Sequence, residues 1–247
     1  MATKQGKAVR VVAYAETFQD ALRAAIGAAG KDPEDVVQLK VTERELYVCA
    51  RNSDKHVALR VDVAVEDIDL GGLDGELVDL ALADARTLAA FTMRSQDPDF
   101  PDMVGLTINE GNVVRTDESG LQMGIRMARV RRANRRFEQS SIGDVAHGLS
   151  EVIEHSEVEL MPAHVTDAQL VVISRVARAL GDTATIGSLM AGSNDKHCAL
   201  IHGEFFDMVA RIPQEVSGES AESDSSPETV VQPALHVVEA TPMKNMA

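Results

Sequence analysis

The densest group of chemically capable side chains in the sequence is a run of arginines near the middle of the chain. Six fall within 11 residues: Arg126, Arg129, Arg131, Arg132, Arg135 and Arg136. A guanidinium group stays charged and donates paired hydrogen bonds to phosphate or carboxylate oxygens. The run therefore predicts contact with a polyanion such as the DNA backbone, or a bridge between two parts of the protein.

Further arginines lie on segments with helical periodicity. Arg175 and Arg178 are three residues apart, which places them on one stripe of a helix. Arg23 belongs to an earlier predicted helix, and Arg86 and Arg94 to another. Charges of this kind attract phosphates without reading base sequence.

No group of residues predicts catalysis, a cofactor or a metal. The phosphate-binding, dinucleotide-binding and serine-hydrolase motifs do not occur in the sequence. His147, Glu151 and His155 share one helical face, but a solvated polar surface explains that spacing more simply than a metal site does. We predict a protein that is not an enzyme, and a carboxylate- or metal-dependent hydrolase is a distant alternative.

Composition excludes several further classes. A formal net charge of −15, from 39 acidic and 24 basic residues, argues against a general nucleic-acid binder. Aromatic residues make up 3%, which argues against base stacking. The two cysteines form no disulfide framework, and the sequence contains neither a membrane-spanning run nor a signal peptide. We expect a cytoplasmic protein without a membrane partner.

The C-terminal segment differs from the rest of the chain. Residues 214–247 hold six acidic residues, one lysine and three prolines. Such a composition cannot bury enough apolar surface to offset chain entropy. We predict that 214–247 is a disordered acidic tail.

The preceding part of the chain repeats one pattern three times. A predicted helix followed by three alternating strands spans 16–63, 84–130 and 166–212. A candidate strand precedes each helix, at 9–14, 76–83 and 157–161. A further amphipathic helix at 141–154 has no strands after it, and we interpret it as the remains of a fourth unit. The repeat is thus a βαβββ unit.

Paired βαβββ units are the domain plan of DNA sliding clamps, and three segments resemble the bacterial DNA polymerase III β-subunit family. These are Leu82–Leu88, the region from Pro162 to Gly181, and Phe205–Pro213. The layout is similar to that of short phage-encoded relatives. The resemblance implies an α+β DNA-clamp fold in which antiparallel sheets lie outside and helices line the inner face.

The resemblance also implies a domain plan and an assembly. A complete clamp-like domain would span 1–132, and a shortened second one would span 133–213. A six-domain ring then needs three copies, so a homotrimer is favoured over a dimer. The strands missing after the helix at 141–154 leave the closure of the ring open.

The function that the resemblance implies is a processivity factor that encircles duplex DNA and tethers the replicative polymerase and other clamp-binding peptides. Whether a clamp loader is needed is open. Its DNA-binding residues would be Arg23, Arg86, Arg94, Arg126, Arg129, Arg131, Arg132, Arg175 and Arg178. Its partner-peptide pocket would consist of Leu170, Met208, Val209, Ile212 and Pro213. The second hypothesis is a clamp-fold adaptor that binds partner proteins, for example in phage transcription or host takeover, without encircling DNA.

Overall fold

The computed structural model describes residues 8–30, 35–92, 99, 101–119, 124–134, 140, 142–154, 156–159, 165–191 and 196–211. Within these residues the chain forms 13 strands and four helices. The helices are α1 (Ala15–Ala28), α2 (Leu82–Ala89), α3 (Val145–Glu154) and α4 (Asp167–Leu180). The strands are β1 (Val9–Tyr14), β2 (Val36–Val41), β3 (Leu46–Asn52), β4 (Val57–Val63), β5 (Val65–Asp69), β6 (Glu76–Ala81), β7 (Met103–Ile108), β8 (Asn112–Asp117), β9 (Ile125–Arg131), β10 (Ser156–Glu159), β11 (Thr185–Ala191), β12 (Lys196–His202) and β13 (Phe206–Arg211).

The strands form two antiparallel sheets. Sheet A has the order β5-β1-β7-β8-β9, and sheet B has the order β10-β11-β12-β13-β4-β3-β2-β6. The predicted α+β class with repeated βαβββ units is confirmed. Strand β5 was not predicted, because its acidic residues Glu66, Asp67 and Asp69 are of a type that is depleted in strands.

The first two βαβββ units exchange their first strands. β1 begins the first unit but pairs with β7 of the second, with Val9 opposite Ile108. β6 begins the second unit but pairs with β2 of the first, with Val36 opposite Ala81. Each sheet therefore needs strands from both units, and the two units fold as one body.

The third unit extends the sheet of the first. β13 pairs with β4, from Phe206 opposite Val61 to Ala210 opposite Val57. Its first strand, β10, is not exchanged and pairs with β11 of its own unit. The described residues contain no fourth three-stranded meander with which β10 could be exchanged. One continuous sheet therefore crosses the domain boundary that the sequence predicts near residue 132.

Helices α1, α2 and α4 pack on the core side of the sheets. α1 lies between the other two and contacts both of them. Phe18 and Leu22 of α1 are fully buried in a core that also contains Leu59 of β4 and Met208 of β13. Burial of one such side chain contributes about 1.5–3 kcal/mol. This apolar layer holds the three helices, called here the helix layer, in place.

Helix α3 lies on the other face of sheet B. Its buried residues Val145 and Leu149 pack with Cys49 of β3 and Val209 of β13. The neighbouring strand residues, such as Met208, belong to the core under the helix layer, because successive strand residues point to opposite faces. The interpretation of this helix as the remains of a fourth unit is therefore wrong. α3 is a connecting helix that crosses β3, β4 and β13 from outside.

Polar contacts anchor the segment that leads into α3. The Gln38 side-chain amide donates to Ser140 Oγ at 2.8 Å and to the Gly143 carbonyl at 2.7 Å, and its oxygen accepts from the Val145 backbone at 3.1 Å. Lys40 Nζ forms an ion pair with Asp144 at 2.8 Å. These contacts fix the segment that precedes α3, and the first residue of the helix, to the outer face of β2.

Helix ends follow local sequence signals in α4 but not in α2. Thr166 and Gln169 form a capping box at the start of α4, and Gly181 ends it in the left-handed conformation. Asp84 is of a type that caps helices but is not the N-cap of α2, because α2 begins at Leu82 directly after β6. Asp84 instead lies in the first turn, where the helix dipole favours an acidic residue.

Candidate DNA-facing helix layer

Two buried side chains position the C-terminal end of α2. Gln19 of α1 donates to the carbonyl oxygens of Ala89 at 2.9 Å and Phe91 at 2.6 Å. Arg115 of β8 donates to the carbonyl of Leu88, and its guanidinium lies 4.5 Å from the centre of the Phe91 ring. Burial lowers the pKa of Arg115. These contacts satisfy the terminal carbonyls of α2 and fix it against α1.

Amide side chains also fix α1 and α4. Asn52 donates to the Ala28 carbonyl at the end of α1, at 3.1 Å. Gln169 donates to the carbonyls of Lys55 at 3.0 Å and Arg211 at 2.9 Å, which joins α4 to sheet B. The positioning role of these amide side chains was not predicted from the sequence. The sequence does show a polar residue next to an apolar helix face, as with Gln19 beside Phe18. Which carbonyl accepts the hydrogen bond of such an amide depends on the fold and cannot be read from the sequence.

The structure places four of the predicted arginines at exposed positions of the helix layer. Arg86, Arg175 and Arg178 are exposed, and none has an ion-pair partner among the described residues. Arg23 is paired with Asp20 at 3.0 Å. Burial raises the pKa of Asp20, and the neighbouring Arg23 only partly opposes that effect.

Acidic residues balance these arginines. The three helices contain Glu16, Asp20, Asp84 and Asp167 beside four arginines, so their formal charge sums to zero. Each of these three helices has an acidic residue in its first turn, and Arg86 and Arg178 lie in the last turns of α2 and α4. Acidic residues at the start of a helix and basic residues at its end interact favourably with the helix dipole. Positive charge on the helix layer is therefore confined to local groups of residues. The clearest is Arg175 with Arg178, about 12 Å along α4 from Asp167.

The arginines of β9 lie on the opposite side of sheet A. Arg126, Arg129 and Arg131 pair with Thr116, Val114 and Asn112 of β8, and directly paired residues share a face. The helix-facing residues of β8 are the buried Val113 and Arg115. A bulge at Met127 keeps Arg126 on the outer face with the other two. Arg126, Arg129 and Arg131 therefore do not share a surface with the arginines of the helix layer.

Arg132 is buried and is not available to DNA. Its guanidinium forms an ion pair with Glu76 at 2.9 Å, with side chains 1% and 6% exposed. It also donates to the carbonyls of Leu77 at 2.7 Å and Asn109 at 3.1 Å. The prediction of a DNA contact is wrong for Arg132, which instead bridges two parts of the protein. Arg94 lies outside the described residues.

The predicted peptide pocket does not form from the described residues. Met208 is fully buried beneath the helix layer, whereas Val209 faces α3 on the other side of the sheet. Adjacent strand residues cannot line one pocket, so this prediction is wrong for Met208 and Val209 together. Leu170 is 40% exposed on α4. Ile212 and Pro213 lie outside the described residues.

No group of three or more His, Cys, Asp and Glu residues in the described part of the chain is arranged to hold a metal ion. None of its helices is both long enough and apolar enough to cross a membrane.

The chain has the fold of DNA sliding clamps. It is similar to the DNA polymerase III β subunit of Thermotoga maritima (TM-score 0.50, 12% identity, 87% of this chain and 66% of that chain). It is also similar to the DNA polymerase sliding clamp of Bacillus subtilis (TM-score 0.51, 11% identity, 87% and 66%). The chain thus spans about 66% of the length of these clamps. No protein-family model and no curated protein sequence matches it.

Proposed function

We propose that this protein is a DNA sliding clamp, a non-enzymatic processivity factor that encircles duplex DNA and holds a polymerase to it. The observation that carries the proposal is the pair Arg175 and Arg178, exposed on a helix layer of clamp fold without ion-pair partners among the described residues. A clamp must attract phosphates while making few contacts to bases, and guanidinium groups on a helix meet that need.

The charge distribution supports this proposal. The net charge of −15 disfavours DNA on most of the surface, so a local positive group on α4 would favour one path for the duplex. The proposal extends to the partners expected of a clamp: a replicative polymerase, other clamp-binding peptides and, where ring opening requires it, a loader. It also includes self-association into a ring, with three copies favoured over two, and a cytoplasmic location with the DNA.

Charge reversal on α4 tests the DNA-facing role. We expect Arg175→Glu with Arg178→Glu to weaken retention on nicked circular DNA. The slope of the binding constant against salt concentration should also become shallower, by an amount that corresponds to about two phosphate contacts. The matched control is Arg44→Glu with Arg51→Glu, which changes the net charge equally at exposed positions outside the helix layer.

The outcome is decided by comparing the two variants. If the α4 variant is retained on circular DNA as well as the wild type is, α4 is not the DNA-facing helix. The same conclusion follows if the α4 variant and the control lose retention equally. Linearising the DNA should release the wild-type protein, because a ring slides off a free end. Unchanged retention on linear DNA would contradict encirclement.

A clamp-fold adaptor that binds proteins without encircling DNA is the second candidate. The zero formal charge of the three helices and the outward position of Arg126, Arg129 and Arg131 favour it. An adaptor would show no difference between circular and linear DNA, and α4 charge reversal would leave its partner binding unchanged.

A further inference from the structure

One face of α4 is exposed and carries two kinds of side chain. The opposite face, with Val172, Ile173 and Val176, is buried in the core. On the exposed face, Leu170 and Val171 are 40% and 46% exposed. Further along the helix the exposed residues of this face are Ser174, Arg175 and Arg178. Because these positions recur every three or four residues, they form one continuous stripe, called here the α4 stripe.

The apolar part of the α4 stripe is not explained by contact with DNA. Leucine and valine side chains have no hydrogen-bond donor for a phosphate oxygen. Adjacent exposed apolar residues that are bordered by charged ones are typical of a surface that contacts protein. Arg175 and Arg178 have no ion-pair partner among the described residues, so their guanidinium groups are available to carboxylates. The stripe therefore suits a peptide that contains both acidic and apolar residues.

The acidic tail (residues 214–247) follows β13 in the chain, and β13 ends beside the first turn of α4. The side-chain amide of Gln169 donates to the carbonyl oxygen of Arg211, the last residue of β13, at 2.9 Å. Gln169 immediately precedes Leu170, with which the α4 stripe begins. The chain therefore leaves sheet B at the apolar end of the stripe.

The tail is long enough to follow the whole stripe. Arg175 and Arg178 lie about 9 and 14 Å from Gln169 along the axis of α4. An extended chain covers about 3.4 Å per residue, and Glu215 comes four residues after Arg211. Glu215 can therefore reach about 14 Å from the end of β13, and each later acidic residue can reach further.

The tail has the composition that the α4 stripe requires. Its six acidic residues and one lysine give a formal charge of −5, opposite in sign to that of the stripe. Five of the acidic residues lie within 215–228. A group of apolar residues follows them: Val230, Val231, Ala234, Leu235, Val237 and Val238. The tail thus contains both kinds of side chain that complement the stripe.

We propose that the acidic tail docks along the α4 stripe of its own chain. The acidic residues of 215–228 then pair with Arg175 and Arg178. The apolar residues of 230–238 cover the apolar part of the stripe. A segment tethered beside its site has an effective concentration of about 1 mM, so individually weak contacts suffice. The docked carboxylates take the place of DNA phosphates on α4, and this competition, unlike the docking itself, rests on the proposed function.

Tryptophan fluorescence tests the docking without DNA, because the protein contains no Trp. Leu235→Trp places a single reporter in the apolar part of the tail of the full chain. Adding Arg175→Glu with Arg178→Glu should release the tail, so we expect the emission to move to longer wavelength and the anisotropy to fall. The matched control adds Arg129→Glu with Arg131→Glu, which are exposed on β9, and it should leave both signals unchanged. Thermal unfolding checks that each variant is folded.

Three results would overturn the docking. The first is that the α4 substitutions leave the emission and anisotropy unchanged. The second is that the β9 substitutions change these signals instead, because the tail would then bind the arginines of sheet A. The third is a dependence of the signals on protein concentration, because the tail would then bind a second copy.

Neutralisation of the tail tests its competition with DNA. The tail variant carries Glu215→Gln, Glu219→Gln, Glu222→Gln, Asp224→Asn and Glu228→Gln. With a docking constant of about 0.1 mM and a tethered concentration of about 1 mM, we expect DNA to bind about tenfold more tightly. The control removes the same charge at exposed positions outside the helix layer, through Glu43→Gln, Asp54→Asn, Asp67→Asn, Glu110→Gln and Glu204→Gln.

The control should gain much less affinity for DNA than the tail variant does. Equal gains in the two variants would overturn the competition, because net charge alone would then explain them. If fluorescence shows the docking but charge reversal on α4 leaves DNA retention unchanged, the docking stands and the proposed DNA-facing role of α4 fails.

Discussion

Arg132 and Glu76 form a buried ion pair that joins the end of β9 to β6. The guanidinium also donates to two carbonyl oxygens, while its Nε has no hydrogen-bond partner. Burial of such a pair is expensive, but removal of one member leaves a buried charge without compensation. This arginine therefore stabilises the fold, although it stands beside exposed arginines in the sequence.

Replacement of Arg132 by methionine should lower the free energy of unfolding by about 3–5 kcal/mol, because it breaks a buried ion pair and removes the hydrogen bonds to the Leu77 and Asn109 carbonyls. Urea unfolding measures the loss. The neighbouring Arg131→Met is the control, and it should change stability by no more than about 0.5 kcal/mol because Arg131 is exposed. Equal losses in the two variants would show that burial does not distinguish them.

Among the elements, α3 is held at the junction of the first and third units. Arg60 of β4 contacts Asp207 of β13 at 2.5 Å and donates to Ser150 of α3 at 2.8 Å, and its guanidinium lies 5.2 Å from the centre of the Tyr47 ring. Burial acts to lower the pKa of Arg60, but Asp207 and Asp62 outweigh it and raise that pKa. Arg60 thus links two strands and a helix at the point where the units meet.

Leu149→Ala should destabilise the protein by about 2–5 kcal/mol, because the residue is 3% exposed and truncation leaves a cavity between α3 and sheet B. Leu170→Ala is a matched control, since the same side chain is 40% exposed on α4. Urea unfolding of both variants gives the comparison. If the Leu149 variant loses no more stability than the control, α3 contributes little to the fold.

Sheet B runs without interruption through both predicted domains. β13 belongs to the third unit and β4 to the first, yet they are neighbours in the same sheet. The apolar core beneath it is also shared, since Leu59, Ile201 and Met208 belong to one cluster. Neither unit can separate without exposing this surface.

We therefore expect a single unfolding transition, with far-ultraviolet circular dichroism and the hydrogen exchange of β12 and β13 amides giving the same free energy. Asp207→Asn removes the ion pair with Arg60 and should expose those amides before global unfolding, because it weakens the junction. Earlier exchange of β12 and β13 in the wild-type protein would mean that the third unit unfolds independently.

The repeated units of this protein could be predicted from the amino-acid sequence. Apolar alternation located the meanders, helical periodicity located α1 and α4, and the capping residues Thr166 and Gly181 stand in the sequence at the two ends of α4. These features are local, because a strand or helix records in its own residues which side must be buried. Their order also indicated the clamp fold that the structural comparison supports.

How the units combine, and which surfaces they leave free, depends on contacts between residues that are distant in the sequence. Alternation shows that a strand has two different faces, but it does not show what covers each one, so the position of α3 outside sheet B was not predictable. The bulge at Met127 places Arg126 on the same face as Arg129 and Arg131, and Arg132 is buried where it donates to the carbonyl of Leu77, which is distant in the sequence. Neighbouring arginines therefore have different roles: Arg126, Arg129 and Arg131 are exposed, whereas Arg132 joins two parts of the fold.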